Sequence, residues 1–159
     1  MNFLAHLYLS DPTPCSRMGN LLGDMVKGTP DPRFDTDVIA GIMRHRAIDQ
    51  FTDSHPVVHG VKVLMCPPPD TRQPFPSRLH RRRAVAGIII DIGFDHCLCR
   101  NWHQFSAIDL ATFIDEVYDS LHRYDGYLPP RAQRIIDKMC SEDWLSSYQS
   151  IEGIASVLD

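Results

Sequence analysis

Apolar residues recur at three- and four-residue spacing through most of this 159-residue chain, and no segment alternates apolar and polar residues between turn dipeptides. The first pattern is typical of amphipathic helices, whereas the second would be needed for strands. The sequence therefore predicts an all-α fold. Because 43% of the residues are apolar, the chain can bury one core but not two, so we expect a single-domain helical bundle over 1–159.

Prolines, glycines and capping residues divide the chain into successive helical segments. The stretch 66–77 holds five of the twelve prolines, so we expect an extended connection there. The apolar pattern stops in mid-period at 157–159, and we expect part of the natural C-terminus to lie beyond it. The predicted helices cover about 2–9, 16–27, 36–55, 57–65, 78–102 and 109–124, a seventh opened by Pro129-Pro130, and short helices over 141–159.

Two of these helices have a clear apolar stripe, which should face the core. In the third helix, the stripe consists of Val38, Ile39, Ile42, Ile48 and Phe51. In the sixth helix, it consists of Ile108, Phe113, Val117 and Leu121.

Charge and cysteine content narrow the class of protein. A formal net charge of −4 argues against a general nucleic-acid binder, which needs a basic surface. The longest apolar run, 84–90, is far shorter than the ~20 residues that span a bilayer, so no membrane partner is expected. Five cysteines without a Cys-x-x-Cys pair favour free thiols in a reducing compartment, and we expect a cytoplasmic protein.

Aspartate and histidine side chains lie inside the apolar stretches of four predicted helices. A buried carboxylate must find a cation or become neutral, because burial removes its solvation. One divalent metal shared between the helices would meet this need, and mixed His and Asp ligation favours Mn²⁺, Fe²⁺ or Zn²⁺ over Ca²⁺. The candidate ligands are His6 on the first helix, Asp24 on the second, His45 and Asp49 on the third, and Asp91, Asp95 and His96 on the fifth.

Each of these residues also fits an ordinary structural role. His45 and Asp49 are four residues apart and can form a surface pair on one helix. Asp91 or Asp95 can bond the N-terminus of a neighbouring helix or pair with an arginine. His6 can be a hydrogen-bonded core histidine, and Asp24 can pair with Lys27. The metal hypothesis therefore depends on finding the side chains from different helices together in space.

Four blocks around these residues resemble the acyl carrier protein phosphodiesterases, also called holo-acyl-carrier-protein hydrolases. The blocks are MNFLAHLYLS at 1–10, GNLLGDMVKG at 19–28, AGIMRHRAIDQFTDSHP at 40–56 and DIGFDHCLCRNW at 91–102. Beyond about residue 103 the resemblance is limited to helical character. The family is all-helical and has been related to the HD phosphohydrolases, so the resemblance implies an HD-phosphohydrolase-like bundle. The chain departs from that superfamily at 95–96, where the order is Asp-His, and no His-Asp dipeptide occurs in it.

The resemblance implies a specific reaction. The enzyme would hydrolyse the phosphodiester between 4'-phosphopantetheine and a serine of holo-acyl carrier protein, giving apo-carrier protein and free 4'-phosphopantetheine. Mn²⁺ would be the metal, with Mg²⁺, Fe²⁺ or Co²⁺ as alternatives. The residues implied are those already isolated: His6, Asp24, His45, Asp49, Asp95 and His96, with Arg46, Asp53 and Asp91 beside them.

Catalytic roles can be assigned as hypotheses from side-chain chemistry. A guanidinium fork matches phosphate, so Arg46 is a candidate for holding a phosphate oxygen, although it can instead pair on its own helix. The departing serine alkoxide needs a proton donor, for which Asp53 and His96 are candidates. Together with Asp24, these residues form the catalytic set: Asp24, Arg46, Asp53 and His96.

The densest positive run of the chain begins the fifth helix, at 78–83. Acyl carrier proteins are strongly acidic, so this run is a candidate docking site for one; its residues are Arg78, Arg81, Arg82 and Arg83. A solvated helix start explains it equally well. Two other functions stay open at this point. One is a phosphohydrolase for a nucleotide or another small phosphodiester, and the other is a metal-free helical interaction module.

Overall fold

The computed structural model describes residues 3–65 and 78–158, and it describes side chains there except at 78–86 and 157–158. Within these ranges the chain has nine α-helices and no strand, which confirms the predicted all-α class. The likeness to HD phosphohydrolases stays a prediction. The proline-rich connection 66–77 lies outside the described residues.

The helices are α1 (Phe3–Tyr8), α2 (Pro14–Leu22), α3 (Thr36–Ser54), α4 (Pro56–Met65), α5 (Arg78–Arg100), α6 (Leu110–His122), α7 (Pro130–Ser141), α8 (Trp144–Ser147) and α9 (Ile151–Leu158), with a 3₁₀ turn at Trp102–Gln104 before α6.

The bounds of α2 differ from the prediction at both ends. The helix begins at Pro14 because Thr13 caps it: the Thr13 Oγ1 accepts from the Ser16 N–H at 3.2 Å, and proline suits a first turn. It ends at Leu22, five residues before the predicted end. Asp24 therefore lies in the turn that follows α2, not on the helix.

The core lies among α1, α2, the first half of α3, α6, α7 and α8. Leu4, Leu21, Leu22, Ile42 and Val117 are all at most 2% exposed. Three residues of the predicted stripe on α6 are buried (Phe113, Val117 and Leu121), whereas Ile108 lies before the helix and is 39% exposed.

Two glycines bring α2 and α3 into backbone contact. A β-carbon at Gly19 would lie 2.9 Å from the Cα of Gly41 and would overlap the carbonyl oxygen of Val38. A β-carbon at Gly41 would lie 2.7 Å from the carbonyl oxygen of Ser16. Only residues without a β-carbon permit this approach, so the glycines at 19 and 41 set how closely α2 and α3 pack.

The predicted apolar stripe of α3 is wrong at its C-terminal end. Val38 and Ile42 are fully buried, but Phe51 is 71% exposed. The reason lies in the partner helix: α2 ends at Leu22, and the next residue, Gly23, already faces His45. The last two turns of α3 thus extend past α2.

None of the described helices combines the length and the apolar character that crossing a bilayer requires.

Candidate metal centre

Histidines from α1 and α3 meet an aspartate from α3 at the edge of the core. Among the described residues, His6, His45 and Asp49 each offer one ligand atom, and these atoms lie within 4.8 Å of one another. The two imidazole rings stack with centroids 3.9 Å apart and an angle of 16° between their planes. Side chains 39 positions apart in sequence therefore share one site.

Two carboxylates complete the cluster. Asp49 spans both rings, because its Oδ1 lies 3.1 Å from His6 Nε2 and its Oδ2 lies 3.1 Å from His45 Nε2. Asp24, in the turn after α2, brings its Oδ1 to 3.5 Å from the same nitrogen of His45. The structure thus brings together four of the predicted residues, from α1, from the turn after α2 and from α3.

The cluster is partly open to solvent. The side chains of His6 and His45 are each 3% exposed, whereas Asp24 is 30% and Asp49 47% exposed. Solvent therefore reaches the carboxylates while the imidazoles form the floor.

The position of His45 depends on the absence of a side chain at Gly23. A β-carbon at Gly23 would overlap three atoms of the His45 side chain, including Cγ and Cδ2 of its ring. Gly23 lies directly before Asp24, so one short turn both makes room for the imidazole and supplies a carboxylate to it.

The local environment sets the protonation of two members. Burial, followed by the nearby His45, lowers the pKa of His6 below its ordinary value of 6.5, and the carboxylates of Asp49 and Asp24 oppose this only in part. His6 is therefore neutral at pH 7. The polar contact with His45 lowers the pKa of Asp24, which remains ionised.

The donor set fits a divalent transition metal. Both ring nitrogens of His45 are buried and have no hydrogen-bond partner among the described residues, an expensive state for polar atoms. The Nε2 atom has oxygens of Asp49 and Asp24 close by, but not in hydrogen-bonding geometry. Two imidazoles with one or two carboxylates are ligands that Mn²⁺, Fe²⁺ and Zn²⁺ accept.

Asp95, a candidate metal ligand in the sequence, bonds the backbone of α1. The side chain is 0% exposed, and its two oxygens accept from the backbone N–H groups of Leu4 and Ala5, each at 3.0 Å. Asp95 thus caps α1 from α5, one of the two structural explanations that its sequence position left open. Burial raises the pKa of Asp95 to about 7, although the two N–H donors act in the opposite direction.

The other predicted side chains on α3 and α5 lie in other contacts. The His96 Nδ1 lies 2.7 Å from the carbonyl oxygen of Tyr148. Asp91 is half-buried one turn before Asp95 and contributes to raising its pKa. Asp53 accepts from Lys62 Nζ at 2.6 Å. Arg46 donates through one nitrogen to the carbonyl oxygens of Val26 and Gly28, so it ties α3 to the loop after α2.

The predicted docking residues Arg78, Arg81, Arg82 and Arg83 lie at the start of α5, where side chains are outside the described part of the chain.

Sequence reasoning missed two polar residues that contact the cluster from behind. Asn20 is 0% exposed, and its Oδ1 lies 3.0 Å from His6 Nδ1. Ser10 contacts Asn20 in turn, with 2.9 Å between Oγ and Nδ2. An amide within the apolar block GNLLGD was the available signal, because a buried Asn needs partners as much as a buried Asp does.

These features define a class: an all-helical protein with a partly open His/Asp cluster whose donor atoms could hold a divalent metal. The family model described as acyl carrier protein phosphodiesterase matches residues 1–159. The chain belongs to this family, whose members are hydrolases.

Individual relatives agree. The acyl carrier protein phosphodiesterase of Photorhabdus laumondii is 35% identical over 159 residues, which is 99% of this chain and 74% of the relative. That of Serratia proteamaculans is 35% identical over 99% of this chain and 76% of its own length, and that of Salmonella agona is 36% identical over 100% and 76%. No solved structure matches the chain significantly.

The contact of Gly23 with His45 leads to the first testable expectation. The substitution Gly23→Ala should lower the free energy of unfolding by about 1–3 kcal/mol, because the added methyl group forces the buried imidazole aside. Chemical denaturation measures this. Gly60→Ala is the matched control: a β-carbon at Gly60 meets nothing within 4 Å, and the change within α4 should be neutral or stabilise by up to about 1 kcal/mol. Equal stability of the two variants would contradict the close packing of Gly23 against the His45 ring.

Asp95 predicts a dependence of stability on pH. Its folded-state pKa of about 7 lies above the ordinary value of 3.8, so between these pH values the folded state holds a proton that the unfolded state has released. The stability of the native protein relative to the Asp95→Asn variant should therefore fall as the pH rises from about 4 to about 7. Urea unfolding across this range, in the presence of a chelator, measures the difference. A difference that increases with pH would mean that the two N–H donors outweigh burial.

Proposed function

We propose that this chain hydrolyses the phosphodiester bond between 4'-phosphopantetheine and the serine of holo-acyl carrier protein, releasing apo-carrier protein and 4'-phosphopantetheine. We further propose that the reaction needs a divalent metal held by His6, His45 and Asp49, with Asp24 beside it. Mn²⁺ is the first choice, and Mg²⁺, Fe²⁺ and Co²⁺ are alternatives. The names of the relatives support the substrate, and the geometry of the cluster supports the metal.

One observation supports the metal more than any other. Two carboxylate oxygens of Asp49 lie 3.1 Å from two imidazole nitrogens, and one of these, on His45, is buried without a hydrogen bond among the described residues. If Asp49 only formed a structural pair on α3, it would need a single imidazole as its partner. Stacked imidazoles around a carboxylate are instead accounted for by a cation that all of them contact.

The residues around the centre have complementary roles in this proposal. When bound, a divalent ion supplies Lewis-acid chemistry, which offsets charge on phosphoryl oxygens and lowers the pKa of water. Asp49 is the ligand nearest to solvent, so it lies where a phosphodiester would enter. Asp24 is ionised and partly exposed beside His45, and it is therefore suited to accept a proton from the attacking water.

The two candidate donors of a proton to the serine leaving group make contacts elsewhere. Asp53 is 66% exposed and paired with Lys62, and His96 contacts the backbone of Tyr148, so neither contacts the cluster in this conformation. A role of Arg46 in holding phosphate would require it to leave the carbonyl oxygens of Val26 and Gly28. The carrier protein itself can also contribute groups when it is bound.

An apolar cavity lined partly by residues of α3 beyond Asp49 supports the proposed substrate arm. Its volume is about 360 Å³, and it is lined by Phe51, Thr52, His55, Val57, Val58 and Phe94. Thr52 follows Asp49 by three residues on α3, so the cavity begins about 4.5 Å further along that helix. Phosphopantetheine carries two methyl groups on the second carbon from its phosphate oxygen. These methyl groups would reach the cavity while the phosphate is at the cluster.

The reaction can be tested directly. The native protein should release 4'-phosphopantetheine from holo-acyl carrier protein in the presence of Mn²⁺, and a chelator should stop the release until metal is added back. His45→Gln and Asp49→Asn should each lower kcat/KM by at least about 100-fold, because they remove groups that contact the metal directly. Mass spectrometry of the carrier protein follows the loss of the arm.

Two substitutions of the same chemistry serve as controls for these variants. His122→Gln and Asp115→Asn change exposed residues of α6, and both proteins should keep native activity. Release of 4'-phosphopantetheine that continues in the presence of the chelator would refute the requirement for a metal. Hydrolysis of bis-p-nitrophenyl phosphate or a nucleotide, without release from the carrier protein, would favour the small-substrate alternative.

We also propose that the basic run at the start of α5 attracts the acidic carrier protein. The chain is acidic overall, with a net charge of −4, so a local positive surface would steer the partner without making the whole protein basic. Residues 78–83 hold four of its sixteen lysines and arginines. The run lies on the same helix as Phe94, which lines the apolar cavity.

This steering should be visible in the salt dependence of the reaction. KM for the carrier protein should rise several-fold between about 0.02 M and about 0.15 M ionic strength, because salt screens the attraction. The triple change R81Q/R82Q/R83Q should raise KM at low salt and flatten the dependence. R131Q/R134Q, which removes two exposed arginines of α7, should leave the dependence steep. A KM that is indifferent to salt in the native protein would exclude steering.

A further inference from the structure

We propose that Ser10 and Asn20 are positioning residues that hold the His6 imidazole in one tautomer, the form with hydrogen on Nδ1 and a free lone pair on Nε2. The inference deepens the proposed function, since it rests on a metal at the cluster. It concerns two residues that contact neither Asp49 nor His45 among the hydrogen bonds and ion pairs of the site. Their effect on the centre is through His6 alone.

The hydroxyl group of Ser10 donates to the backbone of His6. Its Oγ lies 2.9 Å from the carbonyl oxygen of His6, and a carbonyl oxygen can only accept. The single hydrogen of the hydroxyl is therefore committed to that bond. Toward Asn20, whose side-chain amide is 2.9 Å away, Ser10 can then act only as an acceptor.

This commitment fixes the orientation of the Asn20 amide. The Nδ2 group must face Ser10 in order to donate, and Oδ1 then faces the His6 ring, 3.0 Å from Nδ1. The opposite orientation would bring Oδ1 against an oxygen that has no hydrogen left to give. Asn20 is 0% exposed, so water cannot compensate for a wrong orientation.

The amide orientation in turn fixes the imidazole. An amide oxygen only accepts, so His6 Nδ1 must carry the hydrogen, and in a neutral ring Nε2 is then unprotonated. That Nε2 is the atom that lies 3.1 Å from Asp49 Oδ1. With its lone pair free, Nε2 can bind a divalent cation that Asp49 Oδ1 also contacts. The polar contacts form a closed ring, which starts at the backbone of His6 and returns to its side chain.

The test compares two substitutions at Ser10. Ser10→Ala removes the acceptor for Asn20, so the amide can turn and present Nδ2 to His6, which favours hydrogen on Nε2. The dissociation constant for Mn²⁺, measured by calorimetry, should rise about 10-fold or more. Ser10→Thr keeps a hydroxyl group, and its dissociation constant should stay within about 3-fold of the native value. Ser141→Ala, which removes a serine bonded to a preceding carbonyl on α7, should bind Mn²⁺ like the native protein.

A spectroscopic measurement reports the tautomer itself. Nitrogen NMR of the metal-free protein, labelled at its eight histidines, distinguishes protonated from unprotonated ring nitrogens, and His6→Gln identifies the signals of His6. The native protein and Ser10→Thr should show hydrogen on Nδ1, and Ser10→Ala should show a shift toward Nε2. A purely structural effect of Ser10 would weaken binding without moving this signature.

The outcomes separate this inference from the proposed function. Hydrogen on Nε2 in the native protein, or a Ser10→Ala variant with native affinity and a native tautomer, overturns the inference even if phosphopantetheine is released. The expected affinities and tautomers without any release support the inference and refute the reaction. A native protein that binds no Mn²⁺ overturns both.

Discussion

The close approach of α2 and α3 determines the geometry on which the cluster depends. Gly19 and Gly41 let the two backbones touch, and at the end of the same contact Gly23 leaves space that the His45 ring fills. The turn after α2 then brings Asp24 to the same ring. Backbone atoms in van der Waals contact cannot move closer together. This part of the site is therefore positioned by packing and not by a long-range attraction between charges.

The second half of the cluster depends on a different constraint. His6 belongs to α1, a helix of six residues that has too few internal hydrogen bonds to hold itself. Asp95 supplies acceptors for two of its free N–H groups from α5, and apolar residues such as Leu4 anchor it in the core. The stack of His6 on His45 is thus the meeting point of two independently held elements. A change in either would alter the distance that a shared metal has to span.

The sequence predicts the fold class and much of the cluster, for physical reasons that can be stated. Periodic apolar residues identify helices, and the spacing of His45 and Asp49 identifies a pair on one face. The sequence did not distinguish whether Asp95 is a metal ligand or a cap for another helix. Both roles are consistent with an aspartate in apolar surroundings. What separates them is a contact across 91 and 90 positions, which no local pattern encodes. Asn20 was missed although its amide lies within the apolar block GNLLGD, where a buried polar group needs partners.

Asp95 and Asp49 both lie in apolar stretches of the sequence, and the contacts of their side chains distinguish their roles. Asp95 is 0% exposed, and both of its oxygens accept from amide N–H groups of the backbone. Asp49 is 47% exposed and faces two imidazole nitrogens, one of which has no hydrogen bond of its own among the described residues. The oxygens of Asp95 therefore have hydrogen-bond partners, whereas Asp49 lies beside a buried nitrogen of His45 that has none among the described residues. Loss of activity on replacing Asp95 would therefore be explained by displacement of α1 and His6, whereas loss on replacing Asp49 would reflect removal of a group at the centre itself.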